Sequence, residues 1–163
     1  MKNNLKTQND SVFFKRKEGE EMILEENVIS EFKEEYSFLS NAYESSFCFN
    51  GIQYRNAESA FQAQKTLDEK FRRTFSYLSA REAKSLGQNL NLRKDWQQVK
   101  THIMLDICYA KFATSQELAA KLLETGDLFL IAGNYDKFWG ICDGEGQNVL
   151  GSILMEVREM LRK

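Results

Sequence analysis

The chain has 163 residues, 42% hydrophobic and 28% charged, which suits one domain with a real core. Its 22 Lys/Arg and 24 Asp/Glu leave a net charge of −2, so a broad electrostatic grip on nucleic acid is not indicated, although a local basic patch stays open. The lone His102 excludes a multi-histidine zinc site, and Cys48, Cys108 and Cys142, an odd count without CxxC spacing, read as reduced thiols of a cytoplasmic protein.

Residues 1–21 are mostly polar, with Val12, Phe13 and Phe14 as an apolar patch, and are expected to form an arm ahead of a single domain over 22–163. The first residues lack the apolar core of a signal peptide, and no apolar run approaches a membrane span of about 18 residues. SSFCFNGIQYRN places an Asn50-Gly51 turn between two aromatic-rich runs and predicts a hairpin. Asn56 can cap a helix that starts at Ala57 and continues through AESAFQAQKTL.

Ser79-x-x-Glu82 is a capping box for the next helix, which stops near Gly87. The longest helix is expected from Lys94 to Phe112, with Trp96, Val99, Ile103, Ile107 and Ala110 on one face. Thr114-x-x-Glu117 opens a further helix through Leu118 and Leu122 that ends at Gly126. LFLIA, residues 128–132, reads as a strand, and Val149, Leu150, Ile153, Leu154, Val157 and Leu161 stripe a final helix. The sum is a helix-dominated α+β domain with a small β element.

Several residues stand out chemically. Glu58, Phe61, Gln62 and Lys65 recur at helical spacing and share one face. An acid, an amide and an amine around a phenylalanine can wall a pocket. On spacing alone the plainer alternative weighs slightly more: Glu58 complements the helix dipole and Lys65 is solvated. Asp136 and Trp139 share a short loop, where the indole either stacks on a base or ribose or simply closes the core. Gly146-Gln147-Asn148 opens a helix that could offer N–H groups to a phosphate, with Asn148 as an ordinary cap the simpler alternative. Asn41 offers an amide or forms a turn. Lys111-Phe112 at a helix end reads as structural, with the cation suiting the dipole, and His102 is not read as catalytic.

Together the motifs form an ordered set. YSFLSNAY precedes the hairpin. Tyr54, Glu58, Phe61, Gln62, Ala63 and Lys65 fit Y-x-x-x-E-x-x-F-Q-A-x-K. Trp96, Lys100 and Met104 follow, then Ala110-Lys111-Phe112, then D-x-F-W-G at Asp136 to Gly140. Gly146, Asn148, Leu150, Gly151, Leu154, Met155 and Arg158 complete it. In this the chain resembles the NADAR (YbiA-like) family of N-glycosidases over about residues 29–161.

The resemblance implies one compact, helix-rich YbiA-like domain that hydrolyses a ribose C1–N bond without metal or cofactor. Substrates of such proteins are ADP-ribose on guanine in nucleic acid, or phosphoribosylamino intermediates of riboflavin synthesis. The implied partner is an ADP-ribose-containing ligand or ADP-ribosylated nucleic acid. Glu58, Lys65 and Asp136 are implied as catalytic, and Asn41, Gln62, Trp139, Gly140 and Asn148 as substrate-binding. One position departs: Ala132 stands in LIAGN where the resemblance leads one to expect LIEGN or LVE, with a glutamate. A carboxylate near C1 would stabilise the positive charge of the transition state and orient water, and alanine does neither. The chain is therefore expected to be impaired, through a deliberate or a natural loss, or to be a silent module that binds ADP-ribose.

Overall fold

A computed structural model describes residues 27–133 and 136–163. The expected N-terminal arm, and Asn134 and Tyr135 after the LFLIA run, lie outside the described residues.

The hairpin forms as its sequence predicts. Strand β1 is Val28–Ile29; β2, Phe47–Phe49, pairs antiparallel with β3, Ile52–Tyr54. Asn50 and Gly51 supply φ values of 48° and 76°, the left-handed pair that a tight two-residue hairpin turn needs. Helix α1, Ala57–Ala63, is capped by Asn56, whose side chain accepts from the Ser59 N–H. It is shorter than expected: Gln64 ends it, so Lys65 follows in a turn. Helix α2, Glu69–Thr74, was not anticipated; Asp68 caps it by accepting from the N–H groups of Lys70 and Phe71.

Helix α3, Ala80–Gln88, starts with the full Ser79–Glu82 capping box. Helix α4, Trp96–Ala113, buries Trp96, Met104, Ile107, Cys108, Lys111 and Phe112. Val99, Ile103 and Ala110, expected on the core face, are only half-buried. That face is rotated because α1, β2 and the two helices that follow all pack on α4. Helix α5, Gln116–Glu124, is capped by Ser115 rather than Thr114, whose hydroxyl instead donates to the Ala110 carbonyl and closes α4. Strand β4 is Phe129–Leu130 only, and α6 is Val149–Leu161.

β4 pairs in parallel with β1, in register Val28↔Phe129 and Ile29↔Leu130. Helix α4 is the central element, packed against α1, α5, α6 and β2, with α3 lying on α1. Tyr54, Phe75, Lys111, Phe112 and Leu39 are among the largest fully buried side chains. The mixture is the helix-dominated α+β architecture expected. No helix among the described residues is long and apolar enough to cross a membrane.

Candidate functional site

The first group of candidate residues gathers around α1. The Gln62 amide nitrogen donates to the Glu58 carboxylate at 2.8 Å. Glu58 N–H donates to the Asn41 carbonyl at 2.9 Å, which fixes the Asn41 turn at the start of the helix. Lys65 Nζ donates to the Gly87 carbonyl of α3 at 3.4 Å. Burial holds the Lys65 amine below its ordinary pKa; Glu58 counters this and Lys84 adds to it. The early end of α1 therefore does not separate Lys65 from Glu58, because the turn keeps the amine within the field of the carboxylate.

Gly87 makes this arrangement possible. A side chain there would overlap the Gln62 amide oxygen, so glycine lets α3 lie directly on Gln62. Gln62 Oε1 and Asn41 Oδ1 are buried acceptors without a protein donor among the described residues. Gln62 Oε1 faces the Gly87 backbone, whereas the Asn41 amide nitrogen donates to Met104 Sδ at 3.3 Å.

The second group forms where β4 ends. Ala132 is 2% exposed. Its N–H donates to Asn148 Oδ1 at 2.9 Å, and its carbonyl accepts from Ile141. The Asn148 amide nitrogen donates to the Leu130 carbonyl at 2.9 Å. Asn148, at φ 52°, therefore makes no side-chain cap and instead clamps the strand segment carrying Ala132 to the start of α6. Gly151 permits this, since a side chain there would meet the Leu130 carbonyl and the Asn148 amide.

Here one expectation is overturned. The amides of Gln147, Asn148, Val149 and Leu150 donate to the carbonyls of Lys137, Gly140, Phe138 and Trp139 respectively. The loop 136–140 folds over the helix start, so these N–H groups are not available to a phosphate. The Asn148 amide is likewise engaged at both atoms, by the Leu130 carbonyl of β4 and the Ala132 N–H. Asp136 Oδ1 accepts from the N–H groups of Phe138 and Trp139, and the Asp136 carbonyl accepts from buried Gly140. The acid thus builds the turn that presents the half-buried indole.

A ladder of rings joins the two groups. Phe61 of α1 meets Trp139 edge-on at 5.3 Å and Trp96 of α4 at 5.0 Å; Phe138 adds to Trp139 at 4.9 Å. Lys100 Nζ lies 4.0 Å from the centre of the Phe138 ring. Phe61 is thus the hinge between the Glu58–Gln62–Lys65 cluster and the loop carrying Asp136, Trp139 and Gly140.

Lys111 was read in sequence as a helix-end cation, and that reason does not hold. It is 1% exposed, and its Nζ donates to the carbonyls of Phe38 at 2.7 Å and Ser40 at 2.8 Å. It therefore anchors the segment that delivers Asn41. The signal was present in the Ala110-Lys111-Phe112 motif, but a linear pattern cannot tell a buried amine from a solvated one. His102 is exposed and pairs with Asp106 on its own helix. No group of three or more His, Cys, Asp or Glu suited to a metal ion occurs among the described residues.

The model of the NADAR domain matches residues 13–162. The chain belongs to the NADAR family. Among its relatives is the N-glycosidase YbiA of Escherichia coli K12, 34% identical over 146 residues that cover 85% of this chain and 91% of YbiA. An N-glycosidase of Nostoc punctiforme is 34% identical over 78% of this chain and 86% of its own length. A riboflavin biosynthesis protein of Vibrio vulnificus is 36% identical over 80% of this chain, a match that spans 37% of that larger protein. The NMR structure of E. coli YbiA superposes with a TM-score of 0.74 at 35% identity, covering 83% of this chain and 86% of YbiA. This NADAR fold thus carries both residue groups on a scaffold shared with a solved relative.

Proposed function

We propose that the chain is built as an N-glycosidase that hydrolyses a ribose C1–N bond, with ADP-ribose on a guanine base of nucleic acid as its substrate. The carrying observation is the Glu58–Gln62–Lys65 cluster, joined through Phe61 to the half-buried Trp139. Partly desolvated Lys65 is positioned to act as an amine at C1, where it can form a Schiff base with the opened ribose. Glu58, oriented by Gln62, holds the amine or the ribose hydroxyls. Trp139 offers a stacking face to base or sugar. The amine displaces the base from C1, its proton leaving on the base nitrogen, and water then hydrolyses the Schiff base, which frees the sugar and returns Lys65 to the amine.

Ala132 stands where a carboxylate would complete this set, so the chain is impaired as it is. The test is base release from an ADP-ribosylated guanine oligonucleotide by the Ala132→Glu variant, followed by mass spectrometry. No release at saturating enzyme sinks the substrate assignment.

A second reading is favoured by one observation, the riboflavin biosynthesis relative that matches 80% of this chain. It keeps the chemistry and replaces the substrate with a phosphoribosylamino-pyrimidine. Parallel assays of the two substrates on Ala132→Glu separate them. Ligand binding without release of any base would leave the silent ADP-ribose-binding module.

A further inference from the structure

The net charge of −2 hides a strong segregation. Between Lys65 and Lys100 there are nine Lys/Arg and four Asp/Glu, whereas the rest of the chain carries 13 and 20. Among the described residues, exposed cations elsewhere are largely neutralised by ion pairs: Lys33 with Glu31, Arg55 with Glu44, Lys121 with Glu117, Lys137 with Glu145, Arg162 with Asp127. Within the basic stretch the pattern reverses. Lys70, Arg73, Arg81, Lys84 and Lys94 are exposed, and none forms an ion pair among the described residues. Three of the four local acids are engaged otherwise: Asp68 caps α2, Glu82 closes the capping box of α3, and Asp95 pairs with Arg93; the fourth, Glu69, is exposed in the first turn of α2.

Of these cations Lys94 lines a groove of about 420 Å³ beside the Lys65 turn, together with Thr66, Leu67, Asn91, Leu92, Arg93 and the Arg93-paired Asp95, and Lys70 follows in the first turn of α2. Two backbone-directed bonds build it. Arg93 N–H donates to the Lys65 carbonyl at 2.8 Å, and Arg72 Nε donates to the Thr66 carbonyl at 2.8 Å. The floor is apolar, with Leu67 65% exposed and Leu92 47% exposed. Unpaired cations beside exposed apolar side chains match the chemistry of a single nucleic-acid strand, phosphates to the rim and base faces to the floor.

We infer that the groove between the Lys65 turn and the 91–95 loop docks the single strand flanking the modified nucleotide, with Lys70 and Lys94 at its phosphates and Leu67 and Leu92 under its bases. The inference rests on the nucleic-acid reading above and names the surface for it. The charge balance of the whole chain argued against a broad grip; a local one needs only this face.

Fluorescence anisotropy of an unmodified single-stranded DNA oligonucleotide, titrated at several salt concentrations, tests it on the full chain. Lys70→Gln and Lys94→Gln are each expected to weaken binding about fivefold at 0.1 M salt and to reduce the salt slope by about 0.7. Leu92→Ser should weaken binding with the slope unchanged. Lys121→Gln, far along the chain on α5, should change neither. No binding by the parent chain, unchanged affinity in the Lys70 and Lys94 variants, or equal loss in Lys121→Gln would each overturn the inference. Equally tight binding of polyglutamate would assign the face to acidic proteins and overturn it too. Base release from a free ADP-ribosylated guanosine by Ala132→Glu reports catalysis without this surface. Its absence counts against the N-glycosidase reading alone.

Discussion

Ala132→Glu separates what the fold supplies from what residue 132 lacks. The site is rigid, since Asn148 holds the backbone on both sides of Ile131 and Ala132 is 2% exposed. A carboxylate introduced there loses most of its hydration, so its pKa rises above the ordinary glutamate value, which suits a general base. One preorganised electrostatic group is worth about 10²–10³ in rate, or about 3–4 kcal/mol of barrier. The same burial costs stability, about 1–3 kcal/mol, and each kcal/mol lowers Tm by about 2–4 °C at this chain length. The expected result is a turnover gain of at least about 10²-fold with a lower Tm and ligand affinity altered far less. Single-turnover kinetics beside ligand titration and thermal melts on both proteins measure all three. Equal turnover would refute the reasoning and return the chemistry to Glu58, Lys65 and Asp136.

Further outcomes follow from the packing. Gly87→Ala should gain up to about 1 kcal/mol of helix propensity yet push Gln62 off Glu58, so turnover in the Ala132→Glu background drops while Tm changes little. Asn148→Ala removes two buried hydrogen bonds and leaves an alanine at φ 52°, a loss of about 2–4 kcal/mol in urea unfolding. Burial holds Lys111 at about 8 against an ordinary 10.5, so between those values the unfolded chain binds more protons and stability rises with pH. Buried Cys108, pushed from 9.0 to about 12, has the opposite sign and lowers stability from about pH 9 upward. Unfolding free energies across alkaline pH should therefore gain about 1 kcal/mol from pH 8 to 9 and then level off. Lys111→Met should abolish the rise, and Cys108→Ala should extend it.

Local chemistry made much of this fold legible. Asn50-Gly51, the Asn56 cap and the Ser79–Glu82 box each act within a few residues, and the corresponding turn and helix starts were readable from them. What was not legible depends on distant partners. The pairing of β1 with β4 joins two dipeptides far apart in sequence, too short for any periodicity to announce. The true buried face of α4 is set by its packing against α1, α5, α6 and β2, so one amphipathic stripe misplaced Val99 and Ile103. Helical spacing put Glu58, Gln62 and Lys65 on one face but favoured the plainer alternative for them; the family resemblance made them candidates. The helix start at Asn148 was misread because the carbonyls that occupy its N–H groups belong to a loop whose path no propensity encodes.

The parallel pairing of β1 with β4 also sets an order of assembly. Ile29 meets Leu130 only after a loop of about a hundred residues has closed, an entropic cost that grows with the logarithm of its length. The helix bearing Glu58 leaves the ribosome before Trp139, Asn148 and α6. Glu58 and Lys65 are therefore made well before the indole that packs on Phe61. Trimming the chain back into α6 would leave Asn148 in place but remove the helix that follows it, so the clamp on residue 132 is expected to loosen although no candidate side chain is lost.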